Sequence, residues 1–310
     1  MIYSYPSALI QTLFIYIIMG IAYFGWGSIM TQVLGLSGDH TKHSAITRIW
    51  LGWAVTISIL QFVHIRFALT AYIAAPIFAL GIAFSLPNII HSFRRQLQLR
   101  PRWMRFLGIL LITLAVTGWI ASRSMLTPIN YDSGLYHFNA IRWINSFPIV
   151  PGLGNLHGRL AFNQSFFTWV AALNFYPLFN HGYAVANSFL FLLTITTLAD
   201  ALLPVLKQPS LLVEAHTLSY ASALIAIPIL GYLAFFSNGL SSPSPDLAST
   251  LLQITLFVLF AQDIAAWTKG NELKIDRAKI LTILSTTAIT IKLSNLAFSA
   301  AIIGFYLIRI

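Results

Sequence analysis

Cysteine is absent from this chain and charge is scarce: charged residues fill 8% of 310 positions, and only eight of them are acidic. Without cysteine there is no disulfide, no thiolate metal site and no cysteine nucleophile. So little charge excludes a soluble domain of this length. It also lets every acid be placed individually: Asp39, Asp132, Asp200, Glu214, Asp246, Asp263, Glu272 and Asp276. What fills the chain instead is apolar, with 57% hydrophobic residues and a mean hydropathy of +0.78, the composition of a polytopic membrane protein. A formal charge of +10 would suggest nucleic acid in a soluble protein. Here it reads as basic inner loops and contacts with membrane lipids, and no nucleic-acid partner is expected. The run from Ala8 to Met30 follows no basic segment and exceeds a signal-peptide core, so it reads as a retained span.

A helix needs roughly 20 apolar residues to cross a hydrocarbon core of about 30 Å. Runs near that length occur at 8–30, 49–65, 67–92, 106–122, 183–205, 216–236 and 248–267, and shorter ones at 280–291 and 296–308. The expected fold is therefore all-α, a transmembrane helical bundle of about nine spans. No internal repeat or linker divides it. Residues 1–310 read as one transmembrane domain, with a three-span segment at 1–105 and a core at 106–310.

The run SFFTWVAALNFYPLF, residues 165–179, is the ambiguous one. Charge decides it, because short loops rich in Lys and Arg stay on the cytoplasmic side. Arg94, Arg95, Arg100, Arg102 and Arg105 mark one inner loop, and Lys269, Lys274, Arg277 and Lys279 mark another. Two inner loops need an even number of crossings between them. Counting 165–179 as a span would make five, and at a rise of 1.5 Å per residue it reaches only about 22 Å. It is expected to lie in the interface or to re-enter from outside. The region 123–182 is then an external loop with interfacial or juxtamembrane helices, and Asp132 and Asp246 fall on the same outer face. Lys292, between the two short final runs, approaches that face if they form a helical hairpin.

Each residue also has an ordinary explanation. Asp132 precedes the amphipathic stretch LYHFNAIRWI, and Asp246 precedes LASTLLQITLF; both are placed to cap a helix N-terminus. His137 and Arg142 need not share a face with Asp132. In PGLGNLHGRL the glycines permit turns, while His157 and Arg159 suit an anionic headgroup. The run lacks the Gly-Lys-Ser/Thr ending of a phosphate loop. Lys292 interrupts apolar sequence, where an amine is costly, so it is a functional candidate whose ordinary alternative is snorkelling to the interface.

A span followed by an external loop opening on YDSGLYHFNAIRWI and then a short apolar helix resembles the first loop of GT-C-fold integral membrane glycosyltransferases. That family includes protein O-mannosyltransferases, lipid A aminoarabinose transferases and oligosaccharyltransferases. SPSPDLAST and TAITIKLSNLAF are similar to later stretches of the family, and the VPGLGNLHGRLAFN run is similar to that of a bacterial GT-C-like subgroup of unassigned function. The resemblance covers roughly residues 106–310. It implies that Asp132 is the catalytic acid of the loop, that Asp246 is the second outer acid and that Lys292 contacts a lipid phosphate. It further implies a polyprenyl-phosphate donor, a glycan, lipid or protein acceptor, and a bacterial inner membrane with the site on its periplasmic side. The three spans at 1–105 exceed the family plan, so the fold reads as permuted or extended at its N-terminus, or the chain as a truncated member.

The chemistry of such transfer needs a base for the acceptor hydroxyl, cations for the departing phosphate and room for the lipid tail. Asp132 supplies the first; Lys292, Arg159 and Arg142 supply the second. Asp246 would bind acceptor hydroxyls or, with Asp132, a divalent cation, although Asp132 and His137 alone do not make a metal site. Two other classes stay open: a transporter or flippase for a lipid-linked sugar, and a non-catalytic membrane subunit of a cell-envelope polysaccharide assembly. Against transport stand acids in loops and the absence of repeats.

Overall fold

The computed structural model describes residues 5–36, 45–97, 103–161, 164–179, 181–207, 217–237, 239–268, 273 and 275–309. Arg100, Arg102, Lys269, Glu272 and Lys274 of the two basic loops lie outside the described residues, as do Asp39 and Glu214. Every described element is helical apart from one isolated bridge between Phe175 and Phe179. Among the described residues six helices are long and apolar enough to cross a membrane, within α1 Tyr5–Val33, α2 Ala45–His64, α3 Ala71–Leu97, α4 Trp103–Ser124, α8 Gly182–Lys207 and α10 Pro245–Trp267. The remaining apolar runs also form helices, α9 Thr217–Phe235, α11 Ile275–Ile291 and α12 Leu296–Arg309, below that length over their apolar portions or in full. Between α4 and α8 lie the short helices α5 Phe138–Ser146, α6 Leu153–Leu156 and α7 Ser165–Ala172.

Small residues bring the first three helices together. A Cβ at Gly52 would overlap the Tyr23 carbonyl oxygen, one at Gly25 the Gly81 carbonyl and one at Gly27 the Arg48 carbonyl. Such close backbone approach is how helices associate where lipid removes the hydrophobic drive between them. Large aromatics then fill the centre, and three of them place their polar atoms in hydrogen bonds inside the protein, whereas Trp53 Nε1 is buried with no partner among the described residues. Trp169 donates from Nε1 to the Tyr23 hydroxyl (2.6 Å), Trp50 to Thr197 Oγ1 (3.0 Å) and Tyr16 to Ser188 Oγ (2.5 Å). Trp53 bridges Trp50 and Trp169 edge-on, each ring pair 5.5 Å apart.

The helix α7 is shorter than its apolar run suggested. Its eight residues reach about 12 Å, too little to cross, and all eight are buried. It packs against α2, α5 and α8 and touches α11, with Ser165 Oγ sharing a hydrogen bond with Thr290 Oγ1 at 2.8 Å. This corrects the interfacial half of the expectation, since a helix lying in the interface keeps one face in lipid or water. Apolar composition alone cannot separate a lipid surface from a protein interior.

Contacts between helix ends sort the bundle into two ends. At one, Lys279 Nζ donates to the Leu34 carbonyl (2.9 Å) and Arg277 pairs with Asp263 (2.8 Å), whose other oxygen accepts from the Tyr306 hydroxyl (2.6 Å). At the other, Ile149 N donates to the His64 carbonyl (3.1 Å), Arg123 to the Ala234 carbonyl (3.0 Å) and Ser249 Oγ to Asn295 Oδ1 (2.7 Å). The second end carries Asp132, Asp246 and Lys292.

Candidate functional site

The chain leaves α4 and turns into a helix at Tyr131, so Asp132 is already helical (φ −65°, ψ −22°). The next turn, Ser133–His137, is π-helical before α5 continues. An extra residue in one turn re-aims side chains, and such turns recur at functional sites. Asp132 makes no side-chain cap bond, contrary to the capping expectation. Its carboxylate instead accepts from Arg159 Nη1 at 2.5 Å, and the Arg159 guanidinium lies 5.1 Å from the Tyr136 ring centroid. Arg159 reaches it from the 3-10 turn Gly158–Ala161, after the chain reverses at Gly152, whose φ of +86° is the left-handed region that glycine adopts without penalty.

The second pair has the same logic. The capping expectation for Asp246 also fails: Ser244 Oγ accepts from the Asp246 backbone N–H (3.3 Å), and the Asp246 carboxylate is left to bind Lys292 Nζ. Lys292 stands in extended backbone between α11 and the 3-10 turn Leu293–Asn295, so the amine sits in a loop at the bundle end. Asn295 fixes that loop: its Oδ1 accepts from Ser249 and Gln253, and its Nδ2 donates to the Ala288 carbonyl (2.8 Å).

The two pairs belong to one cluster. Ser133 and Ser242 share a hydrogen bond at 2.6 Å, tying the residue after Asp132 to the loop before Asp246, and Asn187 Nδ2 holds that loop through the Ser242 and Ser244 carbonyls (2.7 and 2.9 Å). His137 is fully buried beside them, with Nδ1 3.3 Å from Ser133 Oγ and no partner for Nε2 among the described residues. Burial pushes its pKa down to about 4; Arg159 and Lys292 act in the same direction, and Asp132 opposes them. The imidazole is neutral at physiological pH and within the field of three of the charged residues.

His157 and Arg142 stand apart from this arrangement. Exposed His157 accepts the Arg159 backbone N–H through Nδ1 (3.3 Å), supporting the turn without reaching Asp132. Arg142 is exposed on α5, one position from buried Ile141, and among the described residues no ion pair joins it to an acid of the cluster. Among the described residues no group of three or more His, Asp or Glu can hold a metal, and the Asp132 and Asp246 carboxylates each already face a cation of the chain. The described residues do not fit a divalent cation.

Beside Arg159 opens a cavity of about 420 Å³. It lies under α5 and the 148–161 segment, with Trp143 and Phe167 among its apolar walls and Asn155, Gln164 and Arg159 among its polar ones. Ser133, Tyr136, Ser242 and Gln164 were not singled out from sequence. Their only signal was adjacency to the two acids in YDSGLY and SSPSPD, and to the short apolar helix in NQSFF.

Fold and site together define a helical integral membrane protein with paired charges at one end of the bundle. The chain belongs to the family described as Domain of unknown function (DUF8201), whose model matches residues 9–310, the first three helices included. No curated protein and no solved structure matches it.

Proposed function

We propose that the chain is a GT-C-like glycosyltransferase of nine spans, with the Asp132 end at the external face of a bacterial inner membrane. It moves a sugar from a polyprenyl-phosphate donor to a hydroxyl of a glycan, lipid or protein acceptor. One observation carries the reading: two carboxylate–cation pairs, Asp132–Arg159 and Asp246–Lys292, sit at one end of the bundle on segments joined by the Ser133–Ser242 bond, next to apolar helices that can flank a lipid tail. The basic residues Arg277 and Lys279 at the opposite end fit a cytoplasmic side.

In this mechanism the donor phosphate takes over Arg159 and Lys292, which frees Asp132. The acceptor oxygen bonds to the anomeric carbon as its proton passes to the Asp132 carboxylate. The bond from that carbon to the phosphate oxygen breaks, and its electron pair leaves on the phosphate, where the two cations stabilise the growing charge. No general acid is needed, because phosphate leaves as an anion. Asp246 returns to acceptor hydroxyls once Lys292 turns to phosphate.

The test uses membranes carrying the full chain and a panel of polyprenyl-phosphate hexoses labelled in the sugar. Label should enter a new product with the wild type and not with Asp132→Asn at equal membrane abundance. Movement of intact lipid-linked label across the bilayer without bond cleavage would instead identify a flippase.

A further inference from the structure

We infer that the cavity beside Arg159 is a saccharide subsite that receives the sugar of the donor while Arg159 holds its phosphate; this rests on the transferase reading. Size admits the ligand: about 420 Å³ accommodates a hexose ring with space for its substituent. The walls suit one face of a sugar, since Trp143 and Phe167 offer aromatic surface to ring C–H groups. Polar atoms suit its edge. The Gln164 side-chain oxygen is buried with no hydrogen-bond partner among the described residues, an acceptor that a ligand hydroxyl would satisfy. Asn155 adds a second amide, and Arg159 is common to the cavity and the Asp132 pair.

Charge narrows the class further. Among the described residues no carboxylate lines the cavity and one guanidinium does, so a cationic ligand is disfavoured and a neutral ring carrying an anionic group is favoured. The phosphate of a sugar phosphate would lie at Arg159, which also faces the proposed base. The reacting carbon, a ring atom bonded to a phosphate oxygen, is then held between the cavity and Asp132.

The experiment measures binding to the detergent-purified full chain without turnover. Probes are hexose 1-phosphates, the corresponding methyl glycosides and inorganic phosphate, read by tryptophan fluorescence and checked by calorimetry. The hexose 1-phosphates should bind best. Gln164→Leu, which removes the unsatisfied acceptor, and Ala140→Phe, which fills the cavity, should each raise their Kd about tenfold or more while leaving inorganic phosphate unchanged. If Ala140→Phe does not fold, Gln164→Leu alone decides. Methyl glycosides binding as tightly as the phosphates would assign the cavity to the acceptor and overturn the donor assignment. Hexose 1-phosphates binding no better than inorganic phosphate, or equally well in both variants, would overturn the subsite. The two proposals separate cleanly: binding that depends on the cavity without any sugar transfer removes the transferase and leaves the subsite, whereas transfer that is indifferent to the cavity variants does the reverse.

Discussion

Arg159 is 48% exposed along its side chain and Asp132 28%, so their pair contributes little to folding, about 0.2–1 kcal/mol for pairs of this kind. Its value lies in where it holds charge. Arg159→Ala should therefore leave thermal stability within about 1 kcal/mol of wild type. Sugar transfer should fall about a hundredfold or more, because a transition-state donor is lost. A variant that unfolds, or one that transfers at the wild-type rate, contradicts that division. His137 behaves in the opposite way. Buried and neutral, with its pKa pushed down to about 4, it is protonated in the unfolded chain at a pH where the folded chain keeps it neutral. Its contribution is complete above about pH 6.5 and is lost as pH falls from there toward about 4. His137→Gln should flatten the dependence of melting temperature on pH across that window; an unchanged slope would show that the imidazole is not the group responsible. Asp132, His137, Asp246 and Lys292 were legible as candidates because acids and amines are rare in so apolar a chain. Their pairing was not, since Asp132 meets Arg159 across 27 residues and Asp246 meets Lys292 across 46.

Helix α1 comes closest to α2 and α3 at glycines, and this makes its sequence positions unequal. Gly52→Ala places a methyl on the Tyr23 carbonyl and should destabilise the bundle or prevent its assembly. Gly20, with nothing within 4 Å of a built Cβ, should accept alanine with no loss or a gain of about 0.5–1 kcal/mol. Melting curves of the two variants in detergent check both signs together, and equal tolerance would contradict the close-approach account. Helix positions were readable from run length, because a bilayer imposes a minimum on a crossing helix. The ends were less so: the run at 165–179 forms a helix only to Ala172, with Asn174 donating to Asn145 Oδ1 (2.8 Å) and accepting from the Gly182 backbone N–H (3.1 Å) where the helix has ended. The π-helical turn at Ser133–His137 left no trace in the pattern, since one extra residue in a turn changes neither composition nor length detectably.

Taken as a whole, the bundle puts Arg277 and Lys279 at the end opposite Asp132 and Asp246, and the absence of cysteine makes the proposed orientation directly testable. Single cysteines at exposed positions carry the only thiol. His157→Cys should react with an impermeant maleimide added outside intact cells, and Arg94→Cys only after the membrane is opened. The reverse pattern would place the Asp132 end in the cytoplasm and remove the proposed orientation. The proposed orientation rests on charge parity across the loops, which counts crossings without needing contacts. The cavity was not readable: its walls come from α2, α5, the 148–161 segment and α7, brought together only by folding. The most direct test of the central claim is release of polyprenyl phosphate by purified chain in proteoliposomes supplied with labelled polyprenyl-phosphate hexoses and a mixed acceptor fraction. The account predicts acceptor-dependent release by wild type that Asp132→Asn abolishes while the folded protein is retained. Release at the wild-type rate from Asp132→Asn, or none from wild type with any donor of the panel, would contradict it.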